Sequence, residues 1–371
     1  MRKAVLYLTQ PSLSSIGRWT RNQNIFTKAN PSVVERHSCK ALVYRKHGET
    51  SDVIRMEEML LPDVEETNVR LKMLAAPINP ADINMLQGTY PILPPFPAVG
   101  GNEGVGEVVE VGRKVTAFKP GDWVIPVDAG FGTWRTEAVC DECDLIKISK
   151  DISLLCAATV GVNTCTAYRM LHDFKQLQPG DTVIQNGANS AVGQAVIQIS
   201  ATKGFKTINI IRDRPTCHEL VEKLQSMGAD YVITEESLQS SDIQEIFQEV
   251  PKPKLGLNCV GGFSAGRILS HLECGGTLVT YGGMAKKPIL LPAKTLIFKN
   301  IAVQGFWMTQ WKRNHKQDLT KLRAMVSELC GLLKSGQLAT PLCVQVPFHH
   351  YRMALAASMQ SYQSGKQILM M

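Results

Sequence analysis

The run Gln185-Asn186-Gly187-Ala188-Asn189-Ser190-Ala191-Val192-Gly193 has the form of a strand that turns on glycine and reopens as a helix. Such a turn can bring backbone N–H groups and a helix N-terminus against a pyrophosphate. Gly187 and Gly193 stand where the chain must turn tightly and where a helix must pack on its strand, while Asn189 or Ser190 replaces the central glycine of the usual fingerprint. A purely structural glycine turn would also fit this spacing. About 25 residues on, Ile210-Ile211-Arg212-Asp213-Arg214 ends the next apolar run. An acid there accepts ribose hydroxyls in NAD sites, whereas cations there suit the 2′-phosphate of NADP. Two arginines around one aspartate favour NADP, with Asp213 turned outward, although a solvated charge cluster reads the same way. Cys259-Val260-Gly261-Gly262 and Tyr281-Gly282-Gly283-Met284 follow apolar runs too, and paired glycines let main chain approach a flat cofactor or simply make a tight turn.

The other reactive side chains are less organised. Cys140 and Cys143 form one C-x-x-C without a second pair nearby, and the remaining eight cysteines are scattered, so no metal site is expected. The histidines, His349 and His350 included, show neither ligand nor triad spacing.

The elements needed to hold these groups follow from periodicity. Beyond about residue 160, strands are expected at Asp181–Gln185, Lys206–Ile211, Tyr231–Thr234, Leu255–Val260 and Thr277–Tyr281. Helices are expected at Val192–Lys203, Cys217–Met227, near Asp242–Glu249 and at Ala265–Leu272. Strands spaced by helices of this length require crossovers and a parallel, doubly wound Rossmann sheet. Before that point, short alternating stretches (Ala41–Tyr44, Val69–Met73, Gly104–Val111, Asp122–Val127) between Gly- and Pro-rich turns predict a small barrel-like β domain. After a long helix, Asp318–Lys334, the closing pieces, including Lys366–Met370, are expected to return to the first domain. The reading is an α/β chain with a β-barrel domain at 38–157 plus 338–371 and a nucleotide domain at 158–337. The strand Asn300–Gln304, at the outer sheet edge, could pair with its copy in a homodimer.

Composition agrees with two globular domains: 371 residues, 44% hydrophobic and 20% charged. No apolar run reaches about 18 residues, so no membrane span is expected. Of the net charge of +7, six units lie in residues 1–40, where seven Lys and Arg face Glu35 alone. The nearly neutral remainder argues against a nucleic-acid face. Met1 to Pro31 carries no Asp or Glu but several Arg, Lys and Ser among scattered large apolar residues. That is the pattern of a mitochondrial transit peptide, so residues 1–37 read as a leader and the mitochondrial matrix as the destination.

Gly101-Asn102-Glu103-Gly104-Val105-Gly106, Pro120-Gly121-Asp122 and the nucleotide-binding half resemble the medium-chain dehydrogenase/reductase superfamily across nearly all of the chain after the leader. Four further segments are similar to its mitochondrial trans-2-enoyl-thioester reductases. These are residues 76–84 (APINPADIN), 132–136 (GTWRT), 163–170 (NTCTAYRM) and 305–308 (GFWM). The resemblance implies a GroES-like β-barrel catalytic domain beside a Rossmann domain. It also implies NADPH-dependent reduction of trans-2-enoyl thioesters, carried on acyl carrier protein or CoA, in mitochondrial fatty acid synthesis. Zinc-dependent members have histidine at the position of Asn102 and a cysteine within residues 78–83; neither is present, which disfavours alcohol chemistry. In Gln87-Gly88-Thr89-Tyr90-Pro91 the resemblance puts the proton donor at Tyr90, where a neutral phenol of pKa about 10 can protonate the substrate α-carbon. Asn84 would position Tyr90 or the ribose, or only stabilise a turn. The same similarity places Asn163, Asn189, Ser190, Ala191, Val192, Arg212, Asp213, Arg214, Tyr281, Gly282, Gly283, Met284, Phe306, Trp307, Met308 and Lys366 around NADPH, Lys366 as a cation reaching a phosphate or the cleft.

Two other functions are compatible with parts of the pattern. A zinc-independent NADPH quinone oxidoreductase of the same superfamily could share the Gly-x-Tyr-Pro loop, though residues 134–136 favour the enoyl reductase. Leu329-Cys330-Gly331-Leu332-Leu333 matches an L-x-x-L-L helix able to dock on a nuclear receptor, but the same spacing suits a helix packed on a core.

Overall fold

Asn68–Pro77 is the central strand of the first half, alternating buried and partly exposed residues as a strand covered on one face must. It pairs antiparallel with Val105–Val111, Glu137–Asp141 and Lys366–Met370, and register shifts at Arg70/Leu71 and Met73/Ala75 coil the sheet. The computed structural model describes residues 37–215, 217–360 and 365–371; the expected leader lies outside the described residues except for His37. Ser38–Tyr44 joins Ile54–Leu60 and Ala98–Val99 in a second, three-stranded sheet. An Ala41–Arg135 bridge and a Leu42 N–H bond to Trp134 O tie the two sheets into the expected GroES-like barrel. Trp134 is fully buried between them. A Cβ on Gly100 or Gly101 would come within 2.5 Å of its indole carbons, so both positions demand glycine. Burying about 200 Å² of indole at ~25 cal/mol/Å² gives at most about 5 kcal/mol.

The closing segment does return to this half. Lys366–Met370 has the bounds expected and pairs Ile368 with Pro77 and Leu369 with Ala76. Cys343–Pro347 lies parallel beside it, across the helix Tyr351–Met359.

Residues 182–305 form one parallel sheet of six strands. In spatial order they are Tyr231–Thr234, Lys206–Ile211, Thr182–Asn186, Leu255–Asn258, Thr277–Thr280 and Ala302–Gly305. The chain order reverses between Thr182–Asn186 and Leu255–Asn258, and ligands bind at such a reversal. All five residues of Thr182–Asn186 are buried, as a strand sandwiched between helices requires. The edge strand begins two residues later than expected, because Asn300 takes a left-handed conformation that ends the helix Ala293–Lys299.

Two expectations change. Periodicity did not anticipate the helical run Leu154–Thr159, Val160–Thr164 and Cys165–Asp173, whose middle segment is a π turn. Its pieces are short and the π turn between them breaks the helical phase, so no continuous stripe runs through it. The Leu329–Leu333 motif lies in Thr320–Lys334, but Leu329 is fully buried and Leu332 and Leu333 pack against the main core. A receptor groove could reach those leucines only if the helix left the core, so the docking reading is withdrawn. No helix among the described residues is long and apolar enough to cross a membrane.

Candidate active site

The glycine turn sits at the sheet's reversal point. Gly187 has φ +60°, and a Cβ there would lie 2.4 Å from Cys259 Sγ on the adjacent strand end. Gly193 is stricter, since its Cβ would stand 2.5 Å from the carbonyl oxygen of Ala188. Ser190 caps the helix Ala191–Lys203, its Oγ accepting from Gly193 N (3.1 Å). The N–H groups of Ala191 and Val192 come before any intrahelical acceptor, so they are available to an anion at the helix mouth. Asn189 contributes its carbonyl to Gln194 Nε2 (2.8 Å), which shapes the loop.

The second glycine loop is stitched to the first strand end: Met284 N bonds Cys259 O (3.0 Å) and Ala285 N bonds Val260 O (2.8 Å). A Cβ on Gly282 would press on Cys259 O at 3.0 Å, whereas Gly283 and Met284 are exposed. The Tyr281 hydroxyl is enclosed near Cys259 and Ser190 without a well-formed hydrogen bond, and burial raises its pKa well above the ordinary value of 10. An enclosed, unsatisfied hydroxyl at the mouth of a phosphate-type turn suits a polar ligand that would complete it. Burial likewise pushes Cys259 up to about 11, so that thiol stays protonated. At the end of Lys206–Ile211, Arg212 is exposed and Arg214 is buried. Asp213 is exposed and its Oδ1 accepts from Arg214 N (2.8 Å).

Tyr90 lies across the cleft, after the helix Pro80–Leu86. Its hydroxyl accepts from the indole Nε1 of Trp307 (2.7 Å), and the two rings meet edge to face at 5.8 Å. Burial raises the Tyr90 pKa above 10, and the hydrogen bonds from Trp307 and Thr309 draw it partly back. Asn84 works through its backbone: its carbonyl accepts Thr89 N (2.9 Å), which is the turn-stabilising alternative. Phe306 packs edge to face on Phe174 at 5.6 Å, and Met308 is buried in the core.

Beneath Tyr90 lies a buried polar cluster that sequence reasoning did not assemble. Glu103 Oε2 accepts from Asn79 Nδ2 (2.8 Å) and Asn163 Nδ2 (3.2 Å), and its Oε1 accepts Val162 N (2.7 Å). Asp82 accepts Asn79 N (2.7 Å) and Asn102 Nδ2 (2.6 Å). Asn102 Oδ1 in turn accepts Gly130 N (2.6 Å). Asn163, carried by the π turn, thus reaches the cleft floor from the helical run. Lys366 takes the second of its two expected placements, the cleft: its Nζ donates to Asn79 Oδ1 (2.5 Å) beside Glu103 and Asp82. Burial pushes Asp82 up to about 7 despite these donors, and Glu103 is also raised by burial. The cluster is already occupied by an ammonium and amides. Among the described residues no group of three or more His, Cys, Asp or Glu side chains could hold a metal ion, and no step is drawn through one.

The chain matches two family models: "Alcohol dehydrogenase GroES-like domain" over residues 65–172 and "Zinc-binding dehydrogenase" over residues 191–327. It is 54% identical over 345 residues to the mitochondrial enoyl-[acyl-carrier-protein] reductase of Mus musculus, covering 93% of this chain and 92% of that one. The Homo sapiens protein of the same name is 55% identical over 332 residues, covering 90% and 88%. Among solved structures, a complex of Etr1p with NADP and crotonyl-CoA superposes with a TM-score of 0.84 at 34% identity, covering 90% of this chain and all of that one.

Proposed function

Because this chain belongs to the mitochondrial enoyl-[acyl-carrier-protein] reductase family, we propose that it reduces trans-2-enoyl thioesters with NADPH in the mitochondrial matrix, as a step of fatty acid synthesis. The observation that carries the reading is the Tyr90–Trp307 pair, which sets a neutral phenol at the cleft between the barrel and the nucleotide sheet.

Bound NADPH would supply a hydride to the substrate β-carbon. The turn at Asn189, Ser190, Ala191 and Val192 would hold its pyrophosphate, and Arg212 and Arg214 its 2′-phosphate. Tyr281, Gly282, Gly283 and Met284, with Phe306, Trp307 and Met308, would line the rest of its path. Asn163 and Lys366 would meet it from the cleft floor. Trp307 holds the Tyr90 oxygen as an acceptor, which leaves the phenolic proton to be donated. That proton goes to the α-carbon of the enolate, and the indole N–H then stabilises the phenolate left behind.

The proposal covers CoA and acyl carrier protein alike, since both present the same thioester. The acid-free leader and the mitochondrial names of the relatives support the compartment. A homodimer is supported by the edge strand Ala302–Gly305 and the exposed Leu290, Leu291, Ile297 and Phe298 nearby, which a second copy would cover. Sedimentation as a monomer at micromolar concentration would overturn the dimer.

The test follows NADPH oxidation by the purified protein with trans-2-hexenoyl-CoA and with a benzoquinone in parallel. Rapid enoyl reduction is expected; quinone turnover without enoyl activity would replace this reading by the quinone oxidoreductase.

A further inference from the structure

Lys312 lies on the helix Met308–Asn314, one turn past Trp307, and is only 7% exposed. Among the described residues, no hydrogen bond or ion pair to protein engages its Nζ, and the nitrogen itself keeps some accessible surface. A buried ammonium in that state needs water or a proton acceptor beside it. It has room for the former: Lys312, Tyr90, Thr309, Asn79, Asn102 and Asp128 line one cavity of about 40 Å³. At roughly 10–15 Å³ per water on this measure, about three molecules fit; the six polar side chains are their partners, and Ala81, Ala129, Val162 and Met308 close the rest of the lining.

We propose that Lys312 returns a proton to Tyr90 after each turnover, through water held in this cavity. The inference rests on the enoyl reduction proposed above. Protonating the substrate breaks the Tyr90 O–H bond and leaves a phenolate held by Trp307. The phenolate takes a proton from a cavity water, which takes one from the Lys312 ammonium. The neutral amine then regains a proton from solvent, so one solvent proton is consumed per hydride transferred. Lys312 therefore acts through Tyr90 and is a positioning residue for its proton.

The surroundings set the direction of transfer. Burial lowers the Lys312 pKa below 10.5, while Cys165 of the helix Cys165–Asp173, Glu103 ahead of the strand Val105–Val111 and Asp128 beyond Trp123–Pro126 pull it back. Burial raises Tyr90, with Asp82 adding to the rise and Arg313 opposing it. Arg313 itself is paired with Asp128 at 2.9 Å, which keeps that carboxylate from closing on Lys312 alone. Both shifts act in the same sense, easing proton transfer from the ammonium to the phenolate.

The test compares the first turnover with later ones, using rapid mixing of full-length enzyme, NADPH and crotonyl-CoA. In Lys312→Met the first turnover should stay within about twofold of wild type, because Tyr90 starts protonated, while steady-state turnover should fall roughly 10- to 100-fold. The loss should steepen with rising pH, and added ethylamine should restore part of it. Lys312→Arg keeps the charge but holds its proton too tightly, so its later turnovers should also be slow. Wild-type steady state in Lys312→Arg, or first and later turnovers falling together in Lys312→Met, would overturn the proposal in favour of a field or structural role. Should Lys312→Met fail to fold, Lys312→Arg decides alone by the same criterion. A wild-type protein inert toward crotonyl-CoA would defeat the proposed function instead, whereas active wild type with unaffected variants would defeat only this inference.

Discussion

Replacing Tyr90 by phenylalanine removes the phenolic proton and the acceptor of the Trp307 indole while keeping the ring that meets Trp307 edge to face. If Tyr90 is the acid, kcat should fall by about 10²- to 10⁴-fold, equivalent to roughly 2.7–5.5 kcal/mol of transition-state stabilisation. The NADPH dissociation constant should hold within about threefold, because the nucleotide-binding turns are built on the other half of the molecule. Stability should change little. Tyr90 is only half-buried, so water can take over the indole N–H, and the cost should be about 1 kcal/mol or less. In a chain of this length that shifts Tm by only about 1–2 °C. NADPH oxidation with crotonyl-CoA, NADPH titration by fluorescence and a thermal melt measure the three quantities on one preparation. A variant that reduces crotonyl-CoA within about threefold of wild type would refute the acid assignment. So would a loss confined to KM, since removing a proton donor acts on the chemical step.

The other outcomes test the remaining parts of the site. Gly193→Ala would drive a methyl into the Ala188 carbonyl at 2.5 Å, so the turn must shift; NADPH affinity should drop at least about tenfold in a titration, and unchanged affinity would separate this turn from the cofactor. Arg212→Ala should weaken NADPH by roughly 10- to 100-fold, the worth of a charged hydrogen bond, and leave NADH untouched; equal effects on both would argue against a 2′-phosphate contact. Asp82, pushed up to about 7 from 3.8, binds its proton more tightly when folded. Its contribution to stability is therefore full below pH ~3.8 and is lost as pH rises toward ~7. Asp82→Asn loses one of the two acceptors and should be less stable overall, but the gap to wild type in urea midpoints should narrow between pH 5 and pH 7.5, of order a fraction of the titration free energy. A gap that does not change with pH would rule out the raised carboxyl.

Local chemistry was legible wherever one segment carried it. Lys206–Ile211, Tyr231–Thr234 and Lys366–Met370 have the bounds that apolar alternation and runs predict. The arginines after Ile211 stand at the strand end where a ribose phosphate would lie, because a strand's carboxyl end is set by its own residues. The hydrogen bond of Asp213 is a local matter too, since its partner is the next residue's N–H. The helical run through Val160–Thr164 is not legible in periodicity because its pieces are short and the π turn breaks the helical phase between them. The leucines of Leu329–Leu333 were ambiguous for the opposite reason: one stripe serves a core or a partner equally, and only packing chooses.

The amino-acid sequence by itself thus determined the α/β architecture, with a GroES-like domain beside a Rossmann domain, and the glycine turn at the sheet's reversal point, and its family resemblance singled out Tyr90 as the candidate acid. Periodicity, glycine placement and short motifs are properties of neighbouring residues, so they survive without coordinates. Tertiary structure alone decided what surrounds that acid. Trp307 reaches Tyr90 across 217 positions, and Lys366 reaches Asn79 across 287. Whether a lysine, a glutamate or an asparagine is solvated or buried depends on which distant segments close over it, and that closure sets its partners and its pKa. Sequence spacing contains the residues of the Glu103–Asn79–Lys366 cluster and the Lys312 cavity, but only folding takes their charges out of water together and sets the cavity against Tyr90.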